Sequence, residues 1–103
     1  TMSSGIAFNE DYESPFSDIN MVFMRTMAMR QPVEQILAGL PRLRDPGTFN
    51  DYISSDSMVL GLVLEGATGM PLADYLSARL WGPMGAEADA TWSTDRTGRE
   101  LAL

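Results

Sequence analysis

The 103 residues of this chain include no cysteine, no histidine and no lysine; all seven basic residues are arginine. Without cysteine there is no disulfide, no zinc–thiolate site and no thiol nucleophile. Without histidine there is no Ser-His-Asp triad and no histidine-based metal site. Without lysine there is no Ser-Lys dyad, no Schiff-base chemistry and no P-loop. Long apolar runs are missing too. The longest, Met58 to Leu64, contains Gly61 and falls far short of the ~20 residues that span a bilayer. Positive charge is scarce: the net charge is −7 and the sequence pI about 4.2. Such a surface repels phosphate backbones, so nucleic acid is not an expected partner. The acidic residues run from Glu10 to Glu100 without forming a tail, as on a solvated surface. The opening Thr1-Met2-Ser3-Ser4-Gly5 lacks the basic-then-apolar order of a leader. The close, Leu101-Ala102-Leu103, is apolar, and both ends read as cuts.

What is present is ordinary for a folded chain. Hydrophobic residues make up 45% and charged residues 20%, which argues against disorder. The length allows one domain, or part of one, with little margin for a core.

Residues 1–16 read as a loop broken by Gly5, Asn9, Asp11, Ser14 and Pro15, with Ile6, Phe8, Tyr12 and Phe16 as possible anchors to a core. A helix is expected over 18–30, capped by Ser17 or Asp18 and carrying Ile19, Val22, Phe23 and Thr26 at helical spacing. Its methionines, Met21, Met24, Met27 and Met29, suit either an adaptable binding surface or flexible core filling, and the plainer packing role is preferred. Pro32 opens a second helix, 33–40, ended by Gly39 and Pro41. Asp45-Pro46-Gly47 is turn chemistry. A third helix is expected over about 56–67, with Ser54, Ser55 or Asp56 as its cap and Gly66 and Gly69 ending it. It is apolar on all sides, as in a helix buried at a domain centre. Gly61 within it costs about 1 kcal/mol against alanine, which a close approach of another element would explain. A fourth helix, 71–80, presents Leu72, Tyr75, Leu76 and Leu80. Ala90-Thr91-Trp92-Ser93 suits a short strand.

Chemistry concentrates in Pro46-Gly47-Thr48-Phe49-Asn50-Asp51-Tyr52-Ile53-Ser54. This turn places Tyr52 and Ser54 just before a helix N-terminus, where unpaired N–H groups favour negative charge. Spacing alone favours a plainer reading, with Tyr52 a core aromatic whose hydroxyl is tied off and Ser54 only a cap. Calcium ligation by Asp45, Asp51 and Asp56 lacks the EF-hand spacing. Glu10 with Asp11 or Glu13 as a glycosidase pair is weaker than simple solvation of neighbouring acids. No metal and no cofactor is expected.

The same run resembles the second conserved element of the serine β-lactamase/penicillin-binding-protein family: Tyr-x-Asn or Tyr-x-Ser, preceded by Pro-Gly-Thr and followed by a helix carrying Leu-Gly. Glu65-Gly66-Ala67-Thr68-Gly69, Pro71-Leu72-Ala73-Asp74-Tyr75-Leu76 and Leu80-Trp81-Gly82-Pro83-Met84-Gly85 continue the likeness downstream. Met2-Ser3-Ser4-Gly5-Ile6 resembles the stretch shortly after the family's catalytic serine helix. Phe8-Asn9-Glu10-Asp11-Tyr12 and Asp89-Ala90-Thr91-Trp92 are similar to the family's 6-aminohexanoate-dimer hydrolase branch. The pieces cover nearly the whole chain, and their order and spacing together are more specific than any one of them. Phe49 departs, standing three residues before the tyrosine instead of two.

The resemblance implies a single partial domain, 1–103. It would be mainly α, the helical part of the β-lactamase/DD-peptidase-like α/β fold without its αβα sandwich. In the family a serine of Ser-x-x-Lys attacks an amide, lactam or ester carbonyl, and the lysine and the tyrosine assist proton transfer. The resemblance therefore assigns Tyr52 as catalytic proton carrier and Ser54 as a residue binding substrate or the lysine. Neither Ser-x-x-Lys nor Lys-Thr-Gly is present, so the chain by itself is expected to be inactive and, with apolar faces uncovered, prone to self-association. The rival reading is a free-standing acidic helical module that binds a partner through its methionine-rich helix.

Overall fold

The computed structural model describes residues 2–102. Four helices follow in order: α1 (Asp18–Phe23), α2 (Val33–Ala38), α3 (Ser54–Thr68) and α4 (Leu72–Leu76). α1 and α4 each widen into a π-helical turn, Met24–Ala28 and Ser77–Trp81. The described residues contain no sheet, only isolated antiparallel bridges at Ile6–Arg42 and Thr94–Glu100. The described residues are thus mainly α, as the resemblance implied.

The core is Ile19 and Val22 of α1, Val33, Ile36 and Leu37 of α2, Met58 of α3, and Leu101, with Phe8, Phe23, Leu40, Val59 and Leu62 packed around it. α1 and α2 each contribute a stripe at i, i+3 or i+4 spacing, and Leu72 is the one buried residue of α4. Thr26 continues the α1 stripe and buries its hydroxyl harmlessly by donating to the Val22 carbonyl at 2.8 Å. Met24, Met27 and Met29 turn outward and are exposed, against the expectation that they fill a core. The stripe through Ile19, Val22 and Thr26 already occupies the inward face. The first helix ends at Ala28, short of the expected Arg30, which takes φ 55°.

None of the four helices carries a local side-chain cap on its N-terminus. Three are capped from far along the chain by carboxylates instead. Glu10 accepts from the Ser54 N–H of α3 at 3.0 Å. Asp95 accepts from the Val33 N–H of α2 at 2.9 Å. Glu100 accepts from the Leu72 and Ala73 N–H groups of α4 at 3.3 and 3.0 Å. Each carboxylate satisfies orphan donors and sits at the positive end of a helix dipole. The expected cap of α3 by Ser54, Ser55 or Asp56 is corrected: all three lie inside the helix, and its first N–H groups are not served by their side chains.

α3 ends where Gly69 takes φ 67° and its N–H donates to the Glu65 carbonyl at 2.9 Å, a left-handed stop that glycine adopts without strain. Gly66, expected to help end it, lies within the helix. At Gly61 the close approach anticipated from sequence is real. A Cβ there would stand 2.8 Å from the Ala102 Cβ and 3.0 Å from Leu72 Cδ1. The covered side of α3 faces α2, α4 and the Leu101–Ala102 segment, while Leu60 and Val63 are more than half exposed. The helix apolar on all sides is therefore not enclosed in a domain centre.

Residues 90–93 form no strand. The pairing falls later, around a turn built on Asp95: its Oδ1 accepts from the Thr97 N–H (2.7 Å), the Thr97 hydroxyl (2.7 Å) and the Arg99 N–H (3.2 Å). Among the expected loop anchors, Phe8 packs on the core and Ile6 is half-buried, but Tyr12 and Phe16 are exposed. The surface totals 6803 Å², against roughly 5,700 Å² for a compact monomer of this mass. The radius of gyration is 14.8 Å, against about 13 Å for a compact domain. α3 and the methionine turn each keep an uncovered apolar face. No helix among the described residues is long and apolar enough to cross a membrane.

Candidate active site

The segment from Arg42 to Ile53 is laced to residues 2–7 by backbone hydrogen bonds. Ala7 donates to the Pro41 carbonyl, Leu43 to Gly5, Gly47 to Ser3 and Asp51 to Met2, at 2.7 to 2.9 Å. Gly5 (φ 75°) is required here, since a Cβ would lie 2.2 Å from the Arg44 carbonyl oxygen. Thr48 closes the Asp45-Pro46-Gly47 turn by donating its hydroxyl to the Asp45 carbonyl at 2.6 Å. The Arg44 guanidinium lies 4.1 Å above the Phe49 ring, a cation–π contact. A shallow cleft results, lined among others by Ser3, Ser4, Arg44, Phe49, Asp51 and Ile53.

The backbone is extended at Ile53 (φ −137°, ψ 132°) just before α3. Alternation along an extended segment sends successive side chains to opposite sides. Asp51 and Ile53 turn toward the cleft, and Tyr52 between them turns away, 71% exposed. The reading of Tyr52 as a core aromatic is overturned. Among the described residues no group hydrogen-bonds its hydroxyl. Ser54 lies in the opposite environment, 5% exposed, with its hydroxyl donating to Glu10 Oε1, which also accepts the Ser54 N–H. The two residues stand two positions apart in the chain but face different surroundings.

Glu10 went unrecognised as a site residue in the sequence, where it reads as one of several solvated acids. The Phe8–Asp11 loop that carries it is tied down at both ends. The Asn9 N–H donates to Asp18 Oδ2 at 2.7 Å, the Asn9 side chain accepts from the Asp11 N–H at 2.9 Å, and the Asn9 carbonyl accepts from Ile19 at 3.2 Å. No local pattern links residues 10 and 54, so no signal short of the fold marks the contact.

Beneath the start of α3, Ser55 Oγ and Asp56 Oδ1 are buried without a hydrogen-bond partner among the described residues; Asp56 Oδ2 accepts weakly from the Ser4 N–H at 3.4 Å. Orphaned polar atoms cost ~1–3 kcal/mol each. The other charged cluster lies elsewhere. Arg99 pairs with Glu34 at 2.7 Å and with Glu65 at 3.3 Å. The Glu34 hydrogen bond, then the remaining attraction of both carboxylates, raises its pKa against the opposing effect of burial. For Asp95, burial pushes the pKa up, but donors from Val33, Thr97 and Arg99 outweigh it and hold the carboxyl below its usual range. Among the described residues no group of three acidic side chains gathers as a metal site.

The Tyr52-Ile53-Ser54 segment is thus extended at Ile53 and leads directly into the 15-residue α3. The family model described as Beta-lactamase matches residues 1–100, and the chain belongs to that family. It is also similar to the 6-aminohexanoate-dimer hydrolase of Paenarthrobacter ureafaciens, 32% identical over 103 aligned residues that cover 94% of this chain and 26% of the relative. The chain therefore spans about a quarter of the length of that curated relative.

Proposed function

We propose that this chain is the helical section of a serine hydrolase that opens amide or ester bonds through an acyl-enzyme, and that Tyr52 is its proton carrier. The observation that carries the proposal is the Tyr52 side chain: projected outward, without a polar partner among the described residues, two residues before the N-terminus of a 15-residue helix. A phenol placed there can share a proton with a nucleophile and a basic group brought by the rest of the protein. Its exposed hydroxyl is open to take and return that proton. A serine nucleophile, a lysine and an oxyanion hole lie outside these residues on this reading. Attack of the serine oxygen on the carbonyl forms the acyl bond. The serine proton passes through the tyrosine–lysine pair to the departing amine or alkoxide, and water then releases the acid.

The relative's name specifies 6-aminohexanoate dimers, so linear amides are the first substrates to offer, ahead of lactams. Ser54 fits a supporting role: its burial turns it toward Glu10, and it contacts substrate or lysine through its lone pairs. The exposed Met24, Met27 and Met29 favour a second role as a docking surface, which the rest of the same fold would cover.

The test is Tyr52→Phe in the full-length protein. Proton relay predicts a kcat loss of ~10²–10⁴-fold with the melting temperature unchanged, because the exposed hydroxyl supports no packing. A variant with wild-type turnover on amides and esters would reduce Tyr52 to a surface aromatic.

A further inference from the structure

We propose that Glu10 is a positioning residue that fixes the Ser54 hydroxyl as a hydrogen-bond acceptor two residues beyond Tyr52 in the chain. This deepens the hydrolase reading and rests on it. A serine hydroxyl has one proton and two lone pairs. A carboxylate oxygen only accepts, so the contact between Ser54 Oγ and Glu10 Oε1 commits the proton to Glu10. The lone pairs that remain can receive an ammonium or an amide N–H but cannot donate to a carbonyl. The same Oε1 takes the Ser54 N–H at 3.0 Å and so holds the backbone two residues beyond Tyr52. Glu10 is itself anchored, because the Asn9–Asp18 and Asn9–Ile19 hydrogen bonds clamp its loop to α1. A chain of fixed contacts thus runs from α1 through Glu10 and Ser54 to the segment bearing Tyr52. The consequence is selectivity for a donor at this position: the leaving-group N–H of an amide substrate, or the family lysine.

The experiment uses the full-length protein and four variants: Glu10→Ala, Glu10→Gln, Ser54→Ala and the double Glu10→Ala/Ser54→Ala. Rates are measured on a matched amide and ester of one acyl group, normalised to active sites by titration with an acylating inhibitor. Glu10→Ala is expected to lower kcat per active site at least tenfold, with KM changed by less than threefold. Glu10→Gln, which can keep an acceptor at the Oε1 position, should recover most of that loss. The double variant should be no slower than the slower single variant, because Glu10 acts through Ser54. A Glu10→Ala enzyme with wild-type kcat per active site and only a lower melting temperature would leave Glu10 a structural cap and overturn the proposal. Multiplicative losses in the double variant would overturn it as well. A wild-type protein that neither acylates nor turns over any substrate would overturn the hydrolase reading and this one together, which separates the two failures.

Discussion

Replacing Asp95 with alanine tests whether remote carboxylates hold the helices in place. The carboxylate does two jobs with its two oxygens. Oδ2 accepts the buried Val33 N–H at the start of α2, and Oδ1 organises the Thr97–Arg99 turn. Alanine leaves the Val33 donor without a partner in a site closed to water, which costs ~1–3 kcal/mol. Losing the turn contacts adds about 1 kcal/mol, comparable to a lost cap. The expected destabilisation is about 3 kcal/mol, a large part of the roughly 5–15 kcal/mol that holds a domain together. In a chain of this size it lowers the melting temperature by ~10–25 °C. Asparagine cannot restore both jobs, because its one oxygen can face Val33 or the turn but not both, so Asp95→Asn should fall between wild type and alanine.

The pH dependence has a definite sign. Asp95 has a folded-state pKa below its unfolded value, so its stabilisation is complete above the unfolded value and is lost as pH falls through the folded one. Urea melts followed by circular dichroism, at neutral pH and through the acid range below the usual carboxylate pKa, measure both effects. The gap between wild type and Asp95→Ala should shrink as the pH drops. A neutral-pH difference under about 1 kcal/mol, with an unchanged m-value, would refute the view that Asp95 caps α2.

Two glycines of one helix should respond oppositely to alanine. A Cβ at Gly66 meets nothing within 4 Å, so Gly66→Ala should stabilise by roughly 0.5–1 kcal/mol through helix propensity. At Gly61 the same gain is outweighed by overpacking of ~1–3 kcal/mol, since Ala102 and Leu72 leave no room; equal signs in denaturant melts would contradict the packing described. The chain alone should not hydrolyse nitrocefin or p-nitrophenyl esters, and turnover above a buffer blank would show that it carries its own nucleophile.

The helices were legible because their signals are local. Ile19, Val22 and Thr26 mark the inner face of α1, and Gly69 marks the end of α3. The cramped site at Gly61 was legible as well, because a glycine weakens an apolar helix unless a packed neighbour leaves no space for a side chain. The exposed methionines were not. Helical spacing shows which residues share a face, but not whether another element covers it. Residues 90–93 favour a strand by propensity, yet the turn around Asp95 moved the pairing onward to Thr94 and Glu100.

By itself the sequence determined the helical class, the Tyr-x-Ser element ahead of α3 and the family, since these rest on residue order and short-range backbone preference. Only the tertiary structure decided that Tyr52 turns outward, that Ser54 turns inward and that Glu10, Asp95 and Glu100 close the helix ends. The physical reason is reach. A helix N-terminus needs an acceptor within hydrogen-bond distance, and any carboxylate the fold carries there will serve, however far away it lies in the chain.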